Sequence, residues 1–207
     1  METFITNLTK LVEDTYKLNN NTPVVLIGHS MGNPYVLVML HRQSQKWKNK
    51  YVRSFITIGG PWGGAVKTLR LMASGDNLGL FVVNPLTARG EQRTMPSTAW
   101  LLPYEGFWNK DEVLVQGPLG NYTVRDYERF FNDIKYPDGY NMRKDTEKYL
   151  KDLRPPGVEV HCLYGVGIPT PGFLNYTAKE WFDNQPDVTN DNGDGTVNIR
   201  SLEGCLR

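Results

Sequence analysis

The chain has 207 residues, a formal net charge of +1, 40% hydrophobic residues and two cysteines. That length holds one sizeable domain or most of one, and the near-neutral charge removes the electrostatic case for nucleic acid. No apolar run approaches the roughly 20 residues of a membrane-spanning helix, and Met1-Glu2-Thr3-Phe4-Ile5-Thr6-Asn7 lacks the apolar segment of a signal peptide.

Residues 3–18 are predicted to form an amphipathic helix, with Phe4, Leu8, Leu11, Val12 and Tyr16 on one face. The polar run Asn19-Asn20-Asn21-Thr22 stops it, and Pro23 opens a β-branched strand. That strand ends in Gly28-His29-Ser30-Met31-Gly32, and an apolar helical pattern follows to about residue 45, with Pro34 tolerable in its first turn. Strand, sharp turn and helix with a serine at the turn is the arrangement of a nucleophile elbow. Gly-x-Ser-x-Gly also arises by chance, but this strand and helix make Ser30 the candidate nucleophile. Gly28 and Gly32 are expected to be required because a Cβ at either would collide with the neighbouring strand or helix.

Residues 51–58 read as the next strand, closed by Gly59-Gly60-Pro61-Trp62-Gly63-Gly64. Strand, helix, strand at this spacing is a βαβ unit, hence part of a parallel sheet. The glycine-rich segment fits no phosphate-binding pattern and reads as a flexible exit from a strand end. Residues 65–73 have a helical pattern, but over 66–156 the regular alternation lapses. Residues 74–90 are long and glycine-punctuated, and Trp100, Tyr104, Phe107 and Trp108 crowd a stretch containing Pro96 and Pro103. Residues 124–134 form an amphipathic helix with Val124, Tyr127, Phe131 and Ile134 inward, and 141–150 a weaker, charged one. An insertion of this kind forms a cap, lid or substrate region, most of its aromatics packing as its own core. Residues 158–165 return to the sheet as a strand.

The tail carries the second chemical signal. Asn190-x-Asn192-x-Asp194-Gly195 is superficially similar to a calcium-binding loop, but Asn190 and Ser201 occupy the positions where that loop needs its acidic residues, so no metal is expected. Asp194 instead suits the acid of a Ser–acid–His triad, which follows the serine in α/β-hydrolase order and would hold and stabilise the imidazolium; Asp191 is its rival. Cys162 and Cys205 are paired or free on the residues alone. Asn7, Asn20, Asn121 and Asn175 begin N-glycosylation patterns, which tilts the reading towards the secretory pathway.

Gly28-His29-Ser30-Met31-Gly32-Asn33, Gly60-Pro61-Trp62-Gly63-Gly64 and Gly193-Asp194-Gly195-Thr196-Val197, with His161-Cys162-Leu163-Tyr164-Gly165, together resemble the lecithin:cholesterol acyltransferase family, most of all its lysosomal phospholipase branch. The resemblance covers essentially the whole chain. It implies an α/β-hydrolase fold: core over 1–65, lid and cap over 66–156, and core with the triad acid over 157–207. It implies transfer of a fatty-acyl group from glycerophospholipid, at a membrane or lipoprotein surface, to water or a lipid alcohol such as ceramide, with no cofactor and no metal. Position by position it makes Ser30 the nucleophile, Asp194 the acid, placed directly before Gly-Thr-Val, and the N–H of Met31 an oxyanion donor. Trp62 and Gly63 fall where a lid over the acyl channel would begin. The family pairs the cysteines that match Cys162 and Cys205, carries glycans of the kind Asn121 and Asn175 would bear, and works in lysosomes or after secretion.

One part of the pattern is absent. The histidines are His29, His41 and His161, and none follows Asp194, whereas the family's base lies a few tens of residues beyond the acid. The expectation is a partial fold, without the early strands and the histidine segment, whose sheet exposes strand edges and apolar surface. The alternative reading is a catalytically inactive, lipid-binding product.

Overall fold

In the computed structural model, which describes residues 1–151 and 153–207, the first apolar face becomes α1 (Glu2–Leu18), with Ile5 and Val12 buried. The β-branched run forms β1 (Val24–His29). Two helices follow, α2 (Gly32–His41) and α3 (Gln45–Tyr51), where the sequence predicted one to about residue 45. Ser44 restarts the helix, its hydroxyl accepting from the Trp47 N–H at 3.2 Å as an N-cap. Then come β2 (Val52–Ile58) and α4 (Lys67–Ala73). Within the predicted irregular stretch Asn84 caps α5 (Pro85–Gln92), followed by α6 (Pro96–Trp100). The chain continues through β3 (Val115–Gly117), β4 (Gly120–Tyr122), α7 (Tyr127–Asp133), α8 (Asp138–Thr146), β5 (Val160–Leu163), β6 (Ile168–Asn175), β7 (Asp187–Gly193) and α9 (Ile199–Leu202). Among the described residues no helix is long and apolar enough to cross a membrane.

The strands form two sheets. The first, in order β1-β2-β5, is parallel, as the βαβ pattern predicts. The second, in order β4-β3-β6-β7, is mixed and was not foreseen: the long β6–β7 hairpin is antiparallel, and β3 joins β6 in parallel. On one face of the parallel sheet, Leu26 and Phe55 bury against Val36, Leu37 and Leu40 of α2. On the other, the registered rows Ile27–Ile56–His161 and His29–Ile58–Leu163 open to solvent, Ile27 being 64% exposed. Parallel sheets are ordinarily covered on both faces, so this face leaves Ile27, Ile58 and Leu163 as bare apolar strand positions.

The second core lies between α4, α7 and the mixed sheet, where Val66, Leu69, Met72, Trp108, Phe130, Phe131, Leu174 and Trp181 pack together. Trp100 and Tyr104 join the first core instead. A single cation ties the connecting segment down. Buried Arg143 donates from Nη1 to the carbonyls of Trp100 and Leu102 at 3.1 Å each and from Nη2 to Pro103 at 3.3 Å. Its guanidinium lies 3.7 Å from the Tyr104 ring centroid, and the Tyr104 hydroxyl donates back to the Trp100 carbonyl at 2.9 Å. Burial pushes the Tyr104 and Tyr127 phenols above their ordinary pKa, so both stay neutral donors. We expect Arg143→Met to cost about 3 kcal/mol, because several buried carbonyls each lose a charged donor at once, although Trp100 and Pro103 keep the Tyr104 and Tyr127 hydroxyls. Arg143→Lys should recover less than half, since one ammonium cannot reproduce the planar fork. Chemical denaturation of the two variants checks both.

Candidate active site

Ser30 stands at the carboxyl end of β1, where open parallel sheets carry their ligands. Its φ is +50°, in the left-handed region that a non-glycine residue rarely adopts, and that strain is what turns the chain from strand to helix within a residue. Its own N–H donates to the Ile58 carbonyl at 2.9 Å, which fixes the turn to the end of β2. Buried Asn33 completes the lock: its Nδ2 donates to the Ser30 carbonyl at 2.9 Å and to the Ile58 carbonyl at 3.0 Å. Its only sequence cue was its place after the Gly-x-Ser-x-Gly run. Asn33→Ala should cost about 1 kcal/mol, because the Ser30 and Ile58 carbonyls each lose one of two donors and keep a backbone N–H; thermal unfolding measures it, with Tyr35→Phe on the same helix as a near-neutral control.

The two flanking glycines differ. A Cβ at Gly28 would stand 2.5 Å from Asn33 Oδ1, so that glycine is required. At Gly32 nothing lies within 4 Å of where a Cβ would be, so the expected collision does not occur there. Met31 is the N-cap of α2, and the first N–H groups of a helix have no intrahelical acceptor.

The glycine-rich exit of β2 is not the flexible segment expected. Trp62 is 4% exposed and packs in the first core. A Cβ at Gly63 would run into the Phe107 ring, and the Gly63 N–H donates to Ser201 Oγ at 2.9 Å. Asn198 Oδ1 accepts from Val66 N–H at 3.2 Å while its Nδ2 donates to the Pro171 carbonyl at 2.9 Å. Trp62 and Gly63 are therefore locked core positions and do not line the cavity at Ser30, which Pro61 does reach. Asn198 and Ser201, silent in the sequence, hold this loop from below.

That cavity has a volume of about 290 Å³ and is lined by Ser30, Pro61, Ala65, Leu71, Leu78, Leu101, Thr196 and Val197, among others. It is mainly apolar, with the serine at one wall and the residues that follow Asp194 at another. A separate cavity of about 260 Å³ lies between Phe55, Trp62, Val158 and Cys205, and Ser30 does not line it.

Asp194 Oδ1 accepts from the N–H groups of Thr196 at 2.9 Å and Val197 at 2.8 Å, which fixes the carboxylate. Its Oδ2 faces the end of β2: a Cβ at Gly59 would stand 3.4 Å from it. The Ile58–Gly59 segment thus bonds Ser30 through the Ile58 carbonyl and lies near the Asp194 carboxylate at Gly59. Asp194 makes no hydrogen bond to Ser30, and a triad acid bonds the base, not the nucleophile. Asp191 lies in β7 opposite Thr170, with its carboxylate 3.8 Å from Arg200 Nη2. Asn190 lies in the same strand opposite Pro171, so this stretch is extended and does not wrap a central point as a calcium loop does.

Cys162 and Cys205 are joined as a disulfide with a Cα–Cα distance of 6.2 Å. Asn121, Asn7 and Asn20 are exposed, and Asn175 is half-buried where β6 pairs with Asp187. No histidine reaches the Ser30 cavity. His29 and His161 lie in the open rows of the parallel sheet, and His41 Nε2 is hydrogen-bonded to the Arg154 carbonyl at 2.8 Å.

Comparison with known proteins follows the same residues. The family model described as lecithin:cholesterol acyltransferase matches residues 1–207. The lysosomal phospholipase A and acyltransferase of Homo sapiens is 50% identical over 198 residues, covering 96% of this chain and 47% of that protein. That of Rattus norvegicus is 49% identical over the same length. The phosphatidylcholine-sterol acyltransferase of Gallus gallus is 43% identical over 204 residues, 99% of this chain and 49% of that protein. The chain spans about half the length of the curated relatives it matches.

Proposed function

Because this chain belongs to the lecithin:cholesterol acyltransferase family, we propose that it carries the nucleophile and acid of a serine phospholipase and O-acyltransferase. Ser30 Oγ attacks the ester carbonyl carbon of a glycerophospholipid while a general base takes the hydroxyl proton. The Met31 N–H donates to the resulting oxyanion. Collapse breaks the bond to the glycerol oxygen, which leaves with the proton as a lysophospholipid, and an acyl-Ser30 ester remains. Water or a lipid alcohol then attacks that ester, losing its proton to the same base, and Ser30 is restored. Asp194 Oδ2 holds the base in its working tautomer and stabilises its cationic form.

The observation that carries this reading is Ser30 itself: a strained serine at a parallel strand end, at the wall of an apolar cavity it shares with the Asp194 segment. The base comes from polypeptide outside these 207 residues, since His29, His41 and His161 all lie away from the cavity. The names of the relatives support phospholipid as acyl donor, and those of the lysosomal relatives a lysosomal setting; a secreted setting and glycans on Asn121 and Asn175 rest on the family resemblance and the Asn-x-Thr patterns alone. The test is a longer polypeptide joining this chain to a histidine-bearing extension. It should release fatty acid from phosphatidylcholine vesicles and react with a fluorophosphonate probe, and Ser30→Ala should abolish both. Retained labelling in Ser30→Ala would refute the assignment.

The placement of the three histidines also favours a second reading, in which the chain binds lipid without turning it over. That reading expects vesicle association unchanged by Ser30→Ala and no ester hydrolysis by either the chain or its extended form.

A further inference from the structure

The amino end of the parallel sheet, a strand's length from Ser30, carries cations that the mechanism leaves unused. Residues 41–53 include His41, Arg42, Lys46, Lys48, Lys50 and Arg53 and no acidic side chain. Arg42 is paired with Glu2 at 2.8 Å. Lys48, on α3, has no such partner. It is 8% exposed, and a buried lysine is ordinarily paired with a carboxylate. Its Nζ donates to the Pro156 carbonyl at 2.7 Å. An ammonium carries three N–H groups, and no other acceptor among the described residues bonds this one. Burial and the neighbouring Arg154 charge hold its pKa below the ordinary lysine value, the condition of a cation without a counterion.

Lys48 opens onto a cavity of about 420 Å³, lined also by Asn49, Arg53, Pro155, Gly157 and Glu159. Val52 opens β2 and residues 157–159 lead into β5, so this cavity lies at the opposite end of the sheet from Ser30. Gly157 leaves the ammonium room: a Cβ there would stand 2.9 Å from Lys48 Nζ. Arg53 is exposed and pairs with no carboxylate among the described residues. The one acid of the wall, Glu159, is turned to His161, its Oε1 lying 3.4 Å from the ring Nε2. Gln45 Nε2 donates to Asn49 Oδ1 at 2.7 Å and so orients the Asn49 amide, whose NH₂ bonds no acceptor among the described residues. We propose that this cavity binds a sulfate or phosphate ester carried on a sugar, Lys48 and Arg53 holding the anion and the Asn49 amide donating to a sugar hydroxyl. A tetrahedral oxyanion supplies the acceptors that the Lys48 ammonium lacks. A nucleotide would find no aromatic face here for its base. A bilayer seated here would meet the end of the sheet that points away from Ser30.

The test is calorimetric titration of the longer, base-bearing polypeptide with a heparin-derived hexasaccharide, glucose 6-phosphate, inorganic sulfate and phosphate, and phosphatidylserine vesicles. At least one of the two sugar esters should bind, and which of them does so tells a sulfated glycan from a phosphorylated sugar. Its dissociation constant should rise about tenfold in Lys48→Met and in Arg53→Gln, each losing one charge-assisted contact. Arg53 is exposed, so Arg53→Gln decides the matter even where Lys48→Met fails to fold. Asn49→Ala should weaken the sugar ester and leave the inorganic anions unchanged. Lys110→Gln, an exposed cation in the loop before β3, should stay within about twofold of the parent. The site stands apart from acyl transfer, so Ser30→Ala should bind as the parent does. Failure of both sugar esters to bind, undiminished binding in either folded cavity variant, inorganic anions bound as tightly as the esters, or binding of the vesicles alone would overturn the proposal.

Discussion

Asp194→Asn should lower acyl transfer by about 10⁴-fold in the base-bearing polypeptide while leaving the fold intact. Asparagine keeps the shape of the side chain, and an amide oxygen in the Oδ1 position still accepts from Thr196 and Val197 N–H. The change falls on Oδ2, which becomes an NH₂ group: it donates where the base's ring N–H needs an acceptor, selects the wrong tautomer and cannot stabilise the imidazolium. The effect should appear in kcat, with melting temperature and vesicle affinity unaltered. Asp191→Asn is the matched control. Its partner is Arg200 and its place is in β7, so turnover should stay within about twofold, consistent with a surface substitution. Equal losses in the two variants would remove Asp194 from the mechanism.

Removing the Cys162–Cys205 bond should cost about 4 kcal/mol in the chain-entropy model, for a sequence separation of 43 residues. Cys162 sits in β5 opposite Thr57, and Cys205 follows the turn whose Asn198 and Ser201 hold the 59–66 loop. Gly204 packs so tightly that a Cβ there would stand 3.0 Å from the Phe107 ring. The bond therefore ties the segment carrying Asp194 to the sheet carrying Ser30. Cys205→Ser should shift the denaturant midpoint downwards and slow labelling of Ser30 in parallel. A stability loss below about 1 kcal/mol would mean that packing around Trp62 and Gly204 fixes the segment unaided.

The parallel sheet and its elbow were legible because their signals are local and apolar: a β-branched strand, a glycine-flanked serine and a helix in direct succession. The mixed sheet was not. β3 and β4 have three residues each, and β7 reads Asp-Val-Thr-Asn-Asp-Asn-Gly, with no alternating apolar face to betray a strand. Its order comes from the backbone ladder with β6, a non-local pairing. The same distinction runs through the site. Gly28 could be read correctly from the motif, but Gly32 could not, because the space around it depends on where α2 lies. Gly60 to Gly64 looked mobile by composition, yet Gly63 and Gly64 are held by residues distant in sequence: Phe107, Leu102 and Ser201. Asn33 was visible as a residue and invisible as a lock, since one of its two acceptors is Ile58 at the end of another strand.

The central claim is a covalent acyl-enzyme at Ser30. Its most direct test is peptide mass spectrometry of the base-bearing polypeptide, acid-quenched during turnover of phosphatidylcholine. The account requires a peptide containing Gly28-His29-Ser30-Met31-Gly32 heavier by one fatty-acyl group, the adduct vanishing in Ser30→Ala and accumulating when acceptor is withheld. Continued release of fatty acid with that peptide unmodified, or an acyl group on any other residue, would contradict it.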